Sequence, residues 1–551
     1  MRKFSILATL LLATGTLFAQ KDSIGAIIQV ENDYAPVVVK ATKMSFTPQI
    51  EIPKDYTPLD LVFSQEGEPF KRFIAQRNIK EVLPTQEASL PGYARAAYGT
   101  GGNVDLKAAY RFNISERDNV NIFASLDGYN TTIDQDETEW DSRFYTTWIN
   151  ADYTHKFDKL SLGIDANILK KVYNYNTIAP LPGYTNKQNT GSYALGVNAK
   201  SHTMGAFSYN AYARFTMNSR NYSMATDESI AENRFSVGGN VRYELPYENV
   251  RSIATNIDVD GFLYNSGLKP AEGPGIHDQY KDYALIRVNP YTTMRFGDWR
   301  AHLGLHADFV TAGAPFAAIA PDLKIEGPLA NGITAYASAI GGRRANSFEI
   351  IEQLSPYWDY IPGTRQFTTS YNVCDISAGI RTSYNALSTN IYAGFSYIID
   401  DLMPSVAARS NIYTDFVQAG SRDIYVGVLA AYDYDGWLDI EASLRYDKQG
   451  CSKNDALLMY KPMLTAGLNA RARIIEGLYA NISYTFTSYT EGNEGEQIED
   501  KSNLEARVSY RLHEQINLFV QGSNLLNSEH QVYPGYVAQG VNAMIGASFN
   551  F

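Results

Sequence analysis

The sequence predicts an all-β fold: one large antiparallel transmembrane β-barrel of about 22 strands, preceded by a short periplasmic N-terminal segment. Three observations predict it. From about Gly92 to the end, apolar and polar side chains alternate, the period of a strand with two unlike faces. The connections between these runs alternate short and long. After the first twenty residues no stretch approaches 18 consecutive apolar positions, so no transmembrane helix is expected.

Composition agrees with these signals. The chain of 551 residues holds 40 Tyr and 41 Gly, with 45% hydrophobic residues and a mean hydropathy of -0.27. Only alternate residues of a barrel strand meet lipid, and aromatics collect at the two interfaces, so low hydropathy with many tyrosines is expected. An aromatic content of 13% argues against disorder. The net charge of -12 argues against a nucleic-acid partner.

Residues 1–19 read as a signal peptide: Arg2 and Lys3, then a largely apolar run from Ile6 to Leu17, with cleavage expected after Ala19. Residues 20–90 read as the periplasmic segment. Prolines at 36, 48, 53 and 58 interrupt any regular element there. The barrel is expected over 91–551.

Within the barrel region, Val104, Leu106, Ala108 and Tyr110 alternate with Asp105, Lys107 and Ala109; Ile440, Ala442 and Leu444 alternate with Asp439, Glu441, Ser443 and Arg445. Alternation alone also fits a soluble sandwich. Strand number and phasing decide. Short turns are expected at 115–118, 156–159, 246–249, 296–299, 433–436, 475–477 and 513–515. Longer loops are expected at 131–141, 173–187, 220–230, 267–281, 343–375, 450–463, 488–502 and 523–540. Short periplasmic turns and long extracellular loops are how an outer-membrane barrel is laid out, and each strand needs only about 9–11 residues to cross.

The chain ends on Ile516 to Gln521, then Asn524-Leu525-Leu526-Asn527, Pro534-Gly535-Tyr536, Gly540-Val541-Asn542 and a terminal Phe551. This ending resembles that of TonB-dependent receptors, and Tyr34-Ala35-Pro36 with Lys40 and Lys43 resembles the plug-less, receptor-like barrels of Bacteroidota. The resemblance implies an outer-membrane location, with membrane lipid and lipopolysaccharide around the barrel. The family carries a plug of well over a hundred residues, and segment 20–90 is too short for one. Coupling to TonB therefore stays open, as does an envelope partner protein docking on 20–90 or on the surface loops.

Candidate residues are few. Cys374 and Cys451 both fall on the extracellular side; an exported chain can join them by a disulfide if their Cα atoms come within about 7 Å, or leave two free thiols. The longest loop, 343–375, opens with Arg343-Arg344 and carries Tyr357, Trp358 and Tyr360. It is either a lid whose aromatic and cationic side chains contact a ligand or a segment folded inward against other loops. Asp134, Asp136, Glu137 and Glu139 read as a solvated acidic loop rather than a calcium site. His302, His306 and Asp308 share one strand face, the histidines about 13 Å apart, too far to ligate one metal. No catalytic motif occurs, and neither an enzyme nor a cofactor is expected.

A lumen of this width has to be occluded. Inward-folded loops, residues 20–90 or a partner protein could do so. Uptake of a nutrient such as a glycan, peptide or metal chelate is one reading. A non-transporting scaffold in an envelope assembly is the other, with a passive porin as a third.

Overall fold

The computed structural model of the protein describes residues 90–135, 138–175, 187–202, 206–221, 229–266, 280–313, 315–358, 366–406, 414–490 and 498–551. Residues 1–19, where a signal peptide is expected, and residues 20–89 lie outside these, as do Asp136, Glu137 and Tyr360. The described residues belong to one compact unit.

The strands in chain order begin with β1 (Gly92–Gly99), β2 (Val104–Asn113), β3 (Asp118–Gln135), β4 (Thr138–Lys156), β5 (Leu160–Asn174), β6 (Lys187–Ser201), β7 (Phe207–Asn221) and β8 (Ser229–Glu244). They continue with β9 (Val250–Ser266), β10 (Tyr283–Phe296), β11 (Trp299–Val310), β12 (Ala317–Ala330), β13 (Ile333–Ala345), β14 (Thr369–Tyr384), β15 (Leu387–Val406) and β16 (Thr414–Tyr434). The last are β17 (Leu438–Cys451), β18 (Pro462–Ile475), β19 (Leu478–Tyr489), β20 (Lys501–His513), β21 (Ile516–Ser523), the small hairpin β22 (Gln531–Tyr533) and β23 (Tyr536–Val537), and β24 (Asn542–Asn550).

All but the small hairpin form one closed sheet of 22 antiparallel strands, as the alternation predicts. β1 pairs with β2 on one side and β24 on the other, which closes the ring. The terminal residue completes the seam. Phe551 N–H donates to the Gly92 carbonyl at 3.0 Å, and Gly92 N–H donates to the Phe551 carbonyl at 2.8 Å. The packing there is tight: a Cβ on Gly92 would stand 2.3 Å from the Phe551 ring, which would have to turn aside.

The outward face is apolar and exposed: Leu106 on β2, Ile122 on β3, Ile164 on β5, Val237 on β8 and Val428 on β16. At the short-turn rim it ends in an aromatic girdle that includes Phe112, Phe157, Tyr243, Phe296, Tyr384 and Trp437. Asp435 and Gly436, with φ of 51° and 68°, make the β16–β17 turn, the left-handed pair that matches strand twist.

The opposite rim is uneven. β1 and β21 have 8 residues each, whereas β15 has 20 and β16 has 21. At about 3.3 Å per residue, β16 is roughly 70 Å long, more than twice the hydrocarbon thickness of about 30 Å. These extensions shorten two expected loops. Residues 131–141 are mostly strand, with Thr131 opposite Ser142 and Asp134 opposite Glu139, because Ile133 and Trp140 bury their side chains and hold the hairpin together. Strand likewise takes both ends of 343–375: β13 runs to Ala345 and β14 starts at Thr369.

The cysteines are not joined. Both are free thiols, Cys374 within β14 and Cys451 at the end of β17. Two strands intervene, so at about 4.8 Å per strand the sites are some 14 Å apart, twice the reach of a disulfide.

Candidate binding mouth and its strap

Residues 346–358 leave β13, turn into the mouth of the barrel and cross to its far wall as a strap. The strap begins at Arg343, whose backbone N–H donates to Asp308 Oδ2 at 2.6 Å. Its guanidinium donates to Thr369 Oγ1 at 3.1 Å and the Pro315 carbonyl at 2.6 Å. Ser347 then caps a two-turn helix, α1 (Phe348–Leu354), accepting from Ile350 N–H at 3.4 Å.

The i, i+3 spacing of Glu349 and Glu352 puts both carboxylates on one side of α1, facing three cations of the wall. Glu349 pairs with Arg234 of β8 at 3.0 Å. Glu352 pairs with Arg220 of β7 at 3.1 Å and Lys171 of β5 at 3.7 Å. Glu232 of β8 accepts the Phe348 N–H at 3.1 Å, an otherwise unsatisfied donor of the helix start. The apolar side of α1, Phe348 and Ile351, packs on Ile230, Phe262, Tyr264, Tyr283, Leu402 and Phe416.

Past α1 the strap is locked a second time. Ser355 Oγ and Thr414 Oγ1 are 2.7 Å apart, and Thr414 N–H donates to the Tyr357 carbonyl at 3.0 Å. The Tyr357 ring stacks on Tyr536 of β23, centroids 3.4 Å apart, with Tyr173 edge-on at 5.2 Å. Burial among these rings holds the Tyr357 hydroxyl well above the ordinary tyrosine range. The Tyr173 hydroxyl donates to the Pro356 carbonyl. Arg220 donates to the Trp358 carbonyl and lies over its ring at 4.0 Å. The closing loop is tied to the seam in turn: Asn103 Nδ2 donates to Gln539 Oε1 at 3.0 Å.

This geometry corrects the sequence-based placement of ligand contacts on the surface. Arg343 is 5% exposed, and Tyr357 and Trp358 are 3% exposed each; they brace the strap from within. The Tyr357 and Trp358 carbonyls accept from Thr414 and Arg220 on other strands, and exposure would strip those bonds. Arg344 alone of the four described candidates keeps substantial access, at 35% of its side chain. His302, His306 and Asp308 do share the lumen face. His302 bonds Asp322 at 2.8 Å and stacks on Tyr291, while Asp308 serves Arg343. Among the described residues no cluster of metal-ligating side chains occurs.

Sequence reasoning overlooked Lys171, Arg220, Glu232 and Arg234. Their signal was present: charged residues on the lumen face of strands beyond the length needed to cross a bilayer, with two glutamates spaced for one helix side.

The fold is the closed 22-strand barrel of TonB-dependent outer-membrane receptors. No family model matches the chain, and no curated protein matches it in sequence. Solved structures do match. The FrpB iron transporter of Neisseria meningitidis is 10% identical, with 85% of this chain and 82% of that one covered and a TM-score of 0.66. The ferric-catecholate import receptor Fiu of E. coli K12 is 8% identical, covering 84% and 82%, with a TM-score of 0.62. The ferric enterobactin receptor PfeA of Pseudomonas aeruginosa is 11% identical, covering 84% and 80%, with a TM-score of 0.63. At such identities the likeness is one of fold.

Proposed function

We propose that the chain is a receptor-like uptake component of the outer membrane, whose barrel mouth is kept shut by the strap and opened when a solute is taken up. The observation that carries this reading is the double lock of the strap, ion pairs at α1 and stacked tyrosines at Tyr357. The barrel fold shared with iron importers supports transport as the class. Membrane lipid and lipopolysaccharide surround such a barrel, and residues 20–90 are the segment through which an envelope partner or TonB would act.

Single-channel conductance in planar bilayers tests this. The full mature chain should be closed, Arg220→Ala should open it intermittently, and deletion of 20–90 combined with Arg220→Ala should conduct steadily. Silence in all three would favour a scaffold in an envelope assembly. Steady conduction by the unaltered chain would make it a porin.

A further inference from the structure

We infer that the lumen wall at the foot of the strap holds a binding site for an oxyanion, the carboxylate or phosphate group of a small solute; this rests on the uptake reading and names the chemistry of what is taken up. The site is built by the sheet itself. Register shifts fall between Ile340 and Gly342 on β13, between Asn372 and Cys374 on β14, and between Ile398 and Asp401 on β15. Three irregularities on three adjacent strands bend the wall and re-aim side chains there. Gly342, at φ 130°, adopts a backbone conformation that favours glycine.

The result is a cavity of about 250 Å³ whose lining includes Arg287, His306, Arg344 and Asn372. At about 30 Å³ per water it has room for roughly eight waters, or one small organic acid.

The charges in and behind it are arranged in a definite order. Arg287 is held from the wall side by Asp260 at 2.7 Å, and its Nε is buried without a hydrogen-bond partner. The carboxylate nearest Arg344 is Asp401, at 4.0 Å, and that carboxylate already accepts from Lys461 at 2.6 Å and Ser421 at 2.7 Å. Behind the wall Asp308 accepts the Arg343 N–H through Oδ2, and its Oδ1 is buried without a partner. Among the described residues neither the Arg344 guanidinium nor the His306 ring makes a hydrogen bond. No carboxylate lines the cavity, so a hard cation finds no ligand set. The unbonded Arg344 guanidinium, with the Asp260-held Arg287 and the His306 imidazole lining the same space, matches the paired oxygens of a carboxylate or phosphate.

Isothermal titration of the full chain in detergent micelles, with inorganic phosphate and separately with citrate, tests the site. Saturable heat is expected from at least one anion. Phosphate alone would assign the phosphate group, citrate alone the carboxylate, and both a general oxyanion site. Arg344→Gln should weaken that binding about tenfold or more, the loss of a charged hydrogen bond, and Arg344→Lys should recover part of it. Because the Arg344 side chain makes no hydrogen bond and only a 4.0 Å approach to Asp401, while its backbone pairing with Ser370 does not depend on the side chain, its replacement leaves the barrel intact. No saturable heat with either anion, or equal binding by Arg344→Gln, overturns the proposal. The titration needs no open pore, so its failure leaves the conductance result standing. A barrel that fails in conductance leaves the binding result standing.

Discussion

The membrane belt and the mouth of this barrel are held together by different physics. In the belt, strands pair with their chain neighbours everywhere but at the β1–β24 seam, as with Ile391 opposite Val428 and Val428 opposite Leu444, and all three side chains face outward. The lumen side there is lined by short polar pairs, such as Arg214 with Asp165. In the mouth, contacts join residues more than a hundred positions apart: Arg234 with Glu349 across 115, Arg220 with Glu352 across 132, Tyr175 with Trp358 across 183. The belt is therefore a repeated local solution and the mouth a single global one. Changes in the first should alter whether the barrel inserts. Changes in the second should alter whether it leaks.

The largest separation of the two should come from Arg220→Ala. It leaves Glu352 with only Lys171 and the Trp358 indole N–H and removes the donor to the Trp358 carbonyl; breaking a buried pair costs up to about 3–5 kcal/mol, enough to loosen the strap. Conductance should appear while the heat-modifiable electrophoretic shift of the folded barrel stays unchanged; loss of that shift would mean the mouth is part of the folding unit. Tyr357→Ala should act in the same direction, since deleting a buried aromatic costs about 3–5 kcal/mol. A silent Tyr357→Ala barrel would place the whole lock at α1.

Val428→Arg should do the reverse. A charge on the lipid face near midplane costs about 2–4 kcal/mol, read as a lower urea midpoint for unfolding in bilayers, with no leak from the molecules that do insert. Smaller still is Glu349→Gln. Its carboxylate is 41% exposed, and pairs that open to water contribute about 0–1 kcal/mol, so channel openings should become only slightly more frequent. At the bottom of the scale, Cys374→Ser with Cys451→Ser should change neither insertion nor leak, and a reductant should be without effect on the native chain. A stability loss under reductant would contradict the separation of β14 from β17.

Much of the fold was legible because a barrel strand states its own geometry. Period-2 alternation assigns Leu444 to lipid and Arg445 to the lumen with no knowledge of any partner, and once strands pair in chain order their number follows from their phasing. Phe551 could be read as a closing residue for the same reason. The mouth was not legible in this way. Tyr357 and Trp358 look like exposed aromatics in a long loop, and nothing local reveals that Tyr173, Arg220 and Tyr536 are waiting for them.

The sequence by itself determined the strand faces, the short turns, the aromatic girdle and the closing strand, because each is dictated by side chains within a few residues of one another. Only the tertiary structure decided that the strap turns inward, that the two cysteines stand on separated strands, and that bulges on β13, β14 and β15 open one cavity. Those outcomes depend on which distant strands the closure of the ring brings face to face, and a ring of 22 strands makes neighbours of residues that no local pattern connects.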